Sequence, residues 1–380
     1  MRSILFSFKR IFSLLILVQL LLACNKKTNS PNTNPQPVPS PIDNSFPVNL
    51  IIDSVTLQNI RSEATNNTVL AAAVTSIIMQ PAATAIAKTA APFAEATNEN
   101  FSSISTQARE CRSLAIRWLY TFQQSPAEAK PYFDKTVNTL LAWADFGNKV
   151  ANPVHTPNET SYLDFYEAYS VVRSKMPAAS RAKVDNWIGG RVIAYRNYPP
   201  RVNNWETIRL SLLYYFGYLL GDRTLVEQTD AAYTTLLNVN LKAGGKSEDL
   251  ISRDAFAYHA YNLAFYARIL RVKLLYEGQT NYNTFKAKKN NIDVSLQDLM
   301  NYWKPFLIDP VNNVHLEFVN TNYAPDRTRP DYNKPYNPAT SIYALEELVL
   351  GFPESAGYIQ TILPSATRYN RSLMGFLYWP

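Results

Sequence analysis

The apolar residues of this chain recur at intervals of three and four along almost its whole length, and no other feature constrains the fold as strongly. In one segment the pattern comprises Cys111, Leu114, Ala115, Trp118 and Leu119. Residues with this spacing share one face of an α-helix, and such an apolar face is buried when the helix packs. The same spacing predicts further helices over residues 137–144, 161–172, 179–195, 205–220, 224–241, 254–276, 296–306 and 340–350.

Helices in such close succession indicate an all-α fold. Only 11 of the 380 residues are glycine, which argues against a β-rich architecture with many tight turns. Successive antiparallel helix pairs build either a superhelical array of repeats or a closed toroid, and the sequence shows no fixed short repeat period. We therefore predict an (α/α) toroid or incomplete barrel.

One helix start has a clear sequence signal. Ser125 stands immediately before Pro126, and Glu128 follows three residues after the serine. Proline is favoured in the first turn of a helix, and serine followed by glutamate at this spacing forms a capping box. The sequence predicts a helix that begins at Pro126 with Ser125 as its N-cap.

The N-terminus has the organisation of a bacterial signal peptide. A basic stretch that ends in Lys9 and Arg10 precedes an apolar run over residues 11–22. This run is well short of the roughly 20 residues that a membrane-spanning helix needs, so we expect residues 1–23 to be removed. The motif Leu21-Leu22-Ala23-Cys24 is similar to a lipobox, which predicts a lipid on Cys24.

A polar, proline-rich segment follows Cys24. Residues 24–47 are mostly Asn, Thr, Ser and Pro with few apolar residues, which is typical of a flexible linker. No second proline-rich break follows, so residues 48–380 are predicted to form one domain. We expect a membrane-anchored lipoprotein in the periplasm or at the cell surface.

Charge and cysteine content narrow the range of partners. The formal net charge is +7, and three basic residues, Arg2, Lys9 and Arg10, lie in the leader, which leaves about +4 on the remainder. This surplus is compatible with an acidic polymer, whereas a nucleic-acid partner is not expected because no Arg/Lys stripe is present. With Cys24 lipidated no intramolecular disulfide can form, and we expect Cys111 to be a small core residue.

Five motifs occur in a characteristic order. They are Ala115-Ile116-Arg117-Trp118, Leu140-Leu141-Ala142-Trp143-Ala144, Asn203-Asn204-Trp205, Leu220-Gly221-Asp222, and Arg253 followed by Tyr258-His259-Ala260-Tyr261-Asn262-Leu263. Their order and spacing, over roughly residues 105–306, resemble the alginate-lyase superfamily of (α/α)-toroid polysaccharide lyases. The resemblance implies β-elimination of alginate or a related uronate polymer.

The resemblance also implies roles for individual residues. Asn204 and Arg253 are expected to neutralise the sugar carboxylate, and Tyr258 to transfer the proton. If Ser252 or Asp254 caps the following helix, Arg253 lies at its mouth and Tyr258 about one turn inside. The neighbouring His259 is a further catalytic candidate, although it points about 100° away from Tyr258 on a helix.

A second group of residues is predicted to bind substrate. The group comprises Asn203, Trp205, Tyr261, His315 and Arg327. The last two lie in a long segment, residues 309–338, whose aromatic and arginine side chains are suited to one wall of a sugar cleft. Trp205 departs from the resemblance, because the family commonly has histidine directly after the asparagine pair. No metal site is predicted, since the three histidines lie in separate segments without ligand spacing, and we expect no cofactor.

Two other functions remain open. One is a non-catalytic glycan-binding lipoprotein on the same scaffold, in which Trp205 stacks on a sugar ring. The other is a toroidal glycoside hydrolase, which requires two opposed carboxylates, with Glu167, Glu206 and Asp254 as candidates. Proteins with similar folds catalyse different reactions, so only the side chains of the site can distinguish these functions.

Overall fold

Helices make up nearly all of the regular structure in residues 45–93, 97–148 and 155–380, which are the residues that the computed structural model describes. The helices are α1 Ser54–Asn66, α2 Thr68–Val74, α3 Gln80–Ala85, α4 Phe101–Thr121, α5 Pro126–Gly147, α6 Thr156–Glu159, α7 Leu163–Val172, α8 Ala178–Arg196, α9 Asn204–Leu220, α10 Arg223–Asn240, α11 Glu248–Arg253, α12 Phe256–Lys286, α13 Leu296–Ile308, α14 Ile342–Leu348, α15 Glu354–Ile362 and α16 Leu373–Tyr378. An antiparallel hairpin, β1 Leu241–Lys242 and β2 Lys246–Ser247, joins α10 to α11.

Neighbouring helices pack against one another around the molecule. Helix α4 packs on α5 and α7, α5 on α8, α8 on α9, α9 on α10 and α12, and α12 on α14. The all-α toroid predicted from the apolar spacing is confirmed. Residues Asn44–Pro380 form one compact unit. The predicted signal peptide, the lipidation site Cys24 and all but the last residues of the linker lie outside the described residues.

Most helices begin and end close to the residues predicted from the apolar spacing. The predicted cap of α5 and the predicted end of α12 differ from the structure. Helix α5 begins at Pro126 as predicted, whereas Ser125 makes no side-chain capping bond. Glu128 instead accepts a hydrogen bond from the guanidinium of Arg117 at 2.7 Å, so the predicted capping box is wrong. Helix α12 runs ten residues beyond its predicted end at 276, across a kink at Gly278, where φ is 80°.

A network of buried charges joins four helices in the middle of the fold. Its members, hereafter the central charge network, are Arg112 of α4, Asp164 and Glu167 of α7, Arg268 and Arg271 of α12, and Glu347 of α14. Glu167 is fully buried and accepts hydrogen bonds from Arg112 at 2.8 Å, Arg271 at 2.7 Å and Tyr215 at 3.0 Å. Buried charges are tolerated only when they are paired and hydrogen-bonded in this way.

The arginines of the network determine the ionisation of Glu167. Burial alone would raise the pKa of this carboxyl, but the positive charges of Arg271, Arg112 and Arg268 outweigh burial and lower the pKa to about 2. Cys111, which lies on α4 with Arg112, is buried in the core as expected. The network therefore holds α4, α7, α12 and α14 together around ionised groups.

Candidate active site

Two short-range features place Arg253 and Tyr258 side by side. Arg253 is the last residue of α11, and Asp254 ends that helix in the left-handed conformation, with φ of 50°. Helix α12 starts two residues later, so Tyr258 lies in its first turn. The predicted cap by Ser252 or Asp254 is wrong, since the N-cap of α12 is Ala255, which has no side chain able to cap.

A distant carboxylate caps α12 instead. Glu317 accepts hydrogen bonds from the backbone N–H groups of Phe256, at 2.8 Å, and Ala257, at 3.2 Å. Burial raises the pKa of Glu317 to about 7, although these two backbone donors act in the opposite direction. The segment 309–338 thus provides the N-terminal cap of the helix that carries Tyr258.

The guanidinium of Arg253 contacts the phenol of Tyr258 directly. Its Nη2 donates to Tyr258 Oη at 2.7 Å, and its Cζ lies 3.9 Å from the centre of the tyrosine ring. The ring of Tyr323 lies on the guanidinium as well, 4.8 Å from Cζ. The structure therefore brings these two predicted catalytic residues together.

Asp326 holds the arginine in this position. Its carboxylate accepts from Arg253 Nε at 2.6 Å and also from Arg253 Nη2, and it accepts from the hydroxyl of Thr321 at 2.7 Å. Burial alone would raise the pKa of Asp326, but the hydrogen bonds from Arg253 and Thr321 keep this pKa below its usual value. Nη1 of Arg253 makes no hydrogen bond within the described part of the chain.

The backbone beneath Tyr258 is held in an uncommon conformation. Phe318 is a fully buried non-glycine residue with φ of 67°, and its N–H donates to the carbonyl of Asp254 at 2.6 Å. The rings of Phe318 and Tyr258 are perpendicular, with centres 6.0 Å apart. Positive φ at a bulky residue is costly, and such residues cluster at functional sites.

The asparagine pair opens α9 next to α11. Asn203 is the N-cap of α9 and accepts from the N–H of Trp205 at 3.3 Å. The N–H of the buried Asn204 donates to Asp249 at 3.1 Å. Asp249 lies one turn before Arg253 on α11, so the asparagine pair is tied to the same short helix that ends in the arginine.

Tyr261 lies one turn beyond Tyr258 on α12 and faces the segment that contains α6. Burial raises the pKa of Tyr261, whereas the side chain of Thr160 and the charge of Arg268, both close to its phenol, act in the opposite direction. Because Tyr258, Tyr261 and Arg268 are separated by three and seven residues, they follow one face of α12. This face leads from the arginine–tyrosine pair toward the central charge network.

Three other predicted residues lie in different surroundings. His259 is fully buried, with Nδ1 2.8 Å from Ser247 Oγ and its ring edge-on to that of Trp303, and burial lowers its pKa to about 4. A residue sealed in the core cannot contact a polymer, so the catalytic assignment of His259 is withdrawn. His315 donates from Nε2 to the Asp254 carbonyl at 3.1 Å, which gives it a supporting role at the junction of α11 and α12.

Arg327 is exposed on the same 3₁₀ turn as Asp326, Ala324–Thr328. It makes no ion pair with any described residue, and its role in substrate binding stays a prediction.

The carboxylates considered for a hydrolase are engaged elsewhere. Glu167 belongs to the central charge network. Glu206 is buried and pairs with Arg209 at 2.5 and 2.9 Å, and Asp254 accepts from the N–H of Asn320 at 2.7 Å. These three groups do not provide the two opposed, accessible acids that glycoside hydrolysis needs.

Comparison with known proteins identifies the family and the fold. A family model described as alginate lyase matches residues 92–311. No curated protein matches the chain. A crystal structure of an alginate lyase from Bacteroides ovatus, at 1.60 Å resolution, has the same fold with a TM-score of 0.64 and 12% sequence identity, over 88% of this chain and 100% of that chain.

Proposed function

The chain belongs to the alginate lyase family, and from this premise we propose that it is a polysaccharide lyase that cleaves alginate or a related uronate-containing polymer by β-elimination. The contact between Arg253 Nη2 and Tyr258 Oη, at 2.7 Å, carries the proposal. It places a fixed positive charge at the phenol oxygen of Tyr258, a partly buried residue in the first turn of α12.

Elimination generates negative charge next to a carboxylate that is already ionised. The proton on C5 leaves, the C4–C5 double bond forms, and the bond from C4 to the glycosidic oxygen breaks. Hydrogen-bond donors that face the carboxylate stabilise this charge more in the transition state than in the ground state. We assign this role to the guanidinium of Arg253. For the amide of Asn204, a residue only 4% exposed, the same role stays a prediction from the family resemblance.

Tyr258 serves as both base and acid in this proposal. Its phenolate accepts the C5 proton, and the resulting phenol donates a proton to the departing oxygen, so the side chain ends in its starting form. The hydrogen bond from Arg253 stabilises negative charge on the Tyr258 oxygen during the proton transfer. No other group is required for proton balance.

The test is an elimination assay on the purified full-length protein in detergent. The protein is incubated with alginate, polymannuronate, polyguluronate and a further uronate polymer, and the ultraviolet absorbance of the new double bond is followed. We expect absorbance to rise with at least one polymer. Binding without absorbance would favour the glycan-binding alternative, and new reducing ends without absorbance would favour a hydrolase.

A change at Asp326 tests whether the arginine must be held in place. Asp326→Asn removes the charge that fixes Arg253, and we expect kcat to fall by up to about 100-fold because the guanidinium is displaced from the reacting groups. The melting temperature should change by only a few degrees. Asp185→Asn is the matched control, because Asp185 makes a similar two-bond pair with Arg173, at 3.1 and 3.0 Å, that contacts neither Arg253 nor Tyr258. Equal rates in the two variants would contradict the positioning role.

We also propose that the protein acts outside the cytoplasm. The apolar leader and the motif ending in Cys24 support export and lipid anchoring, with residues 25–47 as the tether. Metabolic labelling with a radioactive fatty acid, compared between the native protein and Cys24→Ser, tests this directly.

A further inference from the structure

We propose that His155 and Trp205 form an aromatic sugar-binding subsite at the edge of the cleft, next to the asparagine pair. The proposal rests on the lyase function above and adds a residue, His155, and a place where a second uronate ring of the polymer binds. It begins from a ring contact between two segments that lie 50 residues apart in the chain.

The imidazole of His155 is exposed and oriented by its own backbone turn. Its Nδ1 accepts a hydrogen bond from the N–H of Asn158 at 3.3 Å, which places the proton of the neutral ring on Nε2. Nε2 has no partner among the described residues. The ring therefore presents a donor to solvent in a fixed direction.

Trp205 provides the other half of the subsite. The two ring centres are 5.3 Å apart at an interplanar angle of 61°, so the histidine stands against the indole rather than covering its face in parallel. The indole is only partly buried although it lies in the first turn of α9. A partly exposed tryptophan beside an oriented N–H donor suits a pyranose ring, whose C–H face packs on aromatic rings while its hydroxyl and carboxylate groups accept hydrogen bonds.

Neighbouring contacts place the pair on the substrate path. Trp205 directly follows Asn204, which is tied through Asp249 to the helix that ends in Arg253. The segment that begins at His155 continues to Thr160, whose side chain is close to the phenol of Tyr261. These two connections, one through Asp249 and one through Thr160, join the His155–Trp205 pair to the helices that carry Arg253 and Tyr258.

The test measures binding without turnover. In a Tyr258→Phe background of the full-length protein, binding of alginate oligosaccharides of increasing length is followed by calorimetry. His155→Asn keeps an N-cap acceptor for Asn158 but removes the Nε2 donor, and Trp205→Leu keeps apolar volume but removes the ring. We expect each change to weaken binding of long oligosaccharides by about fivefold to tenfold, with little effect on the shortest chain that binds.

The combined variant gives the sharper result. Because the two rings touch, His155→Asn with Trp205→Leu should weaken binding by less than the product of the single effects. In the otherwise native enzyme the same changes should raise KM for long polymers by a similar factor. Unchanged binding in both single variants overturns the subsite while the lyase function stands. Absence of any uronate binding by the parent protein overturns both.

Discussion

Replacement of Tyr258 by phenylalanine is expected to reduce the rate of double-bond formation by at least about 100-fold, the usual contribution of a proton-transferring side chain. The substitution removes only the hydroxyl group, to which Arg253 donates at 2.7 Å. The ring remains, and with it the perpendicular contact with Phe318 and the stacking on the guanidinium. Binding of polymer, measured by calorimetry, should therefore change only a few-fold.

The matched control is Tyr218→Phe. The hydroxyl of Tyr218 also makes one charged hydrogen bond, to Glu277 at 2.6 Å, but it lies near the other end of α9, fourteen residues after the first residue of that helix. This control should retain nearly full activity. Turnover of Tyr258→Phe within tenfold of the native enzyme would reject the tyrosine as the group that moves the proton.

Replacement of Glu167 by glutamine is expected to lower the free energy of unfolding by about 3–5 kcal/mol, because it leaves the guanidinium groups of a buried network without their shared carboxylate. Arg112 and Arg271 each lie within 2.8 Å of this carboxylate. Urea denaturation followed by circular dichroism measures the change. Glu227→Gln, in an exposed pair with Arg223, is the control and should change stability by less than about 0.5 kcal/mol.

The same residue makes part of the stability depend on pH. Since the pKa of Glu167 is lowered to about 2 from its ordinary value of 4.5, its contribution is complete above pH 4.5 and is lost as the pH falls toward 2. The glutamine variant should be less sensitive to acid over this interval. An identical slope of stability against pH in both proteins would contradict the assignment.

The spacing of apolar residues was sufficient to predict the helices. It could not predict the contacts that position the side chains of the candidate site. The start of α5 and the course of α9 follow from apolar periodicity and from residues a few positions apart. The partners of Arg253 and of the first turn of α12 are Asp326 and Glu317, which are 73 and 61 residues away in sequence. No periodic pattern relates such residues, and only folding brings them together.

The assignment of His259 as a catalytic residue also relied on local sequence position alone. Its motif position next to Tyr258 indicated chemistry, whereas the helical rotation of about 100° per residue turns it into the core. There it contacts Ser247 and Trp303 and serves packing. His155 was not predicted as a site residue because it belongs to no motif. Only its contact with Trp205 in the folded chain indicates a role in binding.

The two contacts that hold Arg253 and cap α12 also determine how much of the chain an active protein must contain. The region that matches the family ends at residue 311, whereas both carboxylates that hold the arginine and cap its neighbouring helix lie after it. A fragment trimmed to the matched boundaries would keep every residue assigned to the chemistry and lose what fixes their geometry. For expression, shuffling or grafting of this enzyme, the smallest useful unit therefore extends through the segment that contains Asp326, well past the point where sequence similarity stops.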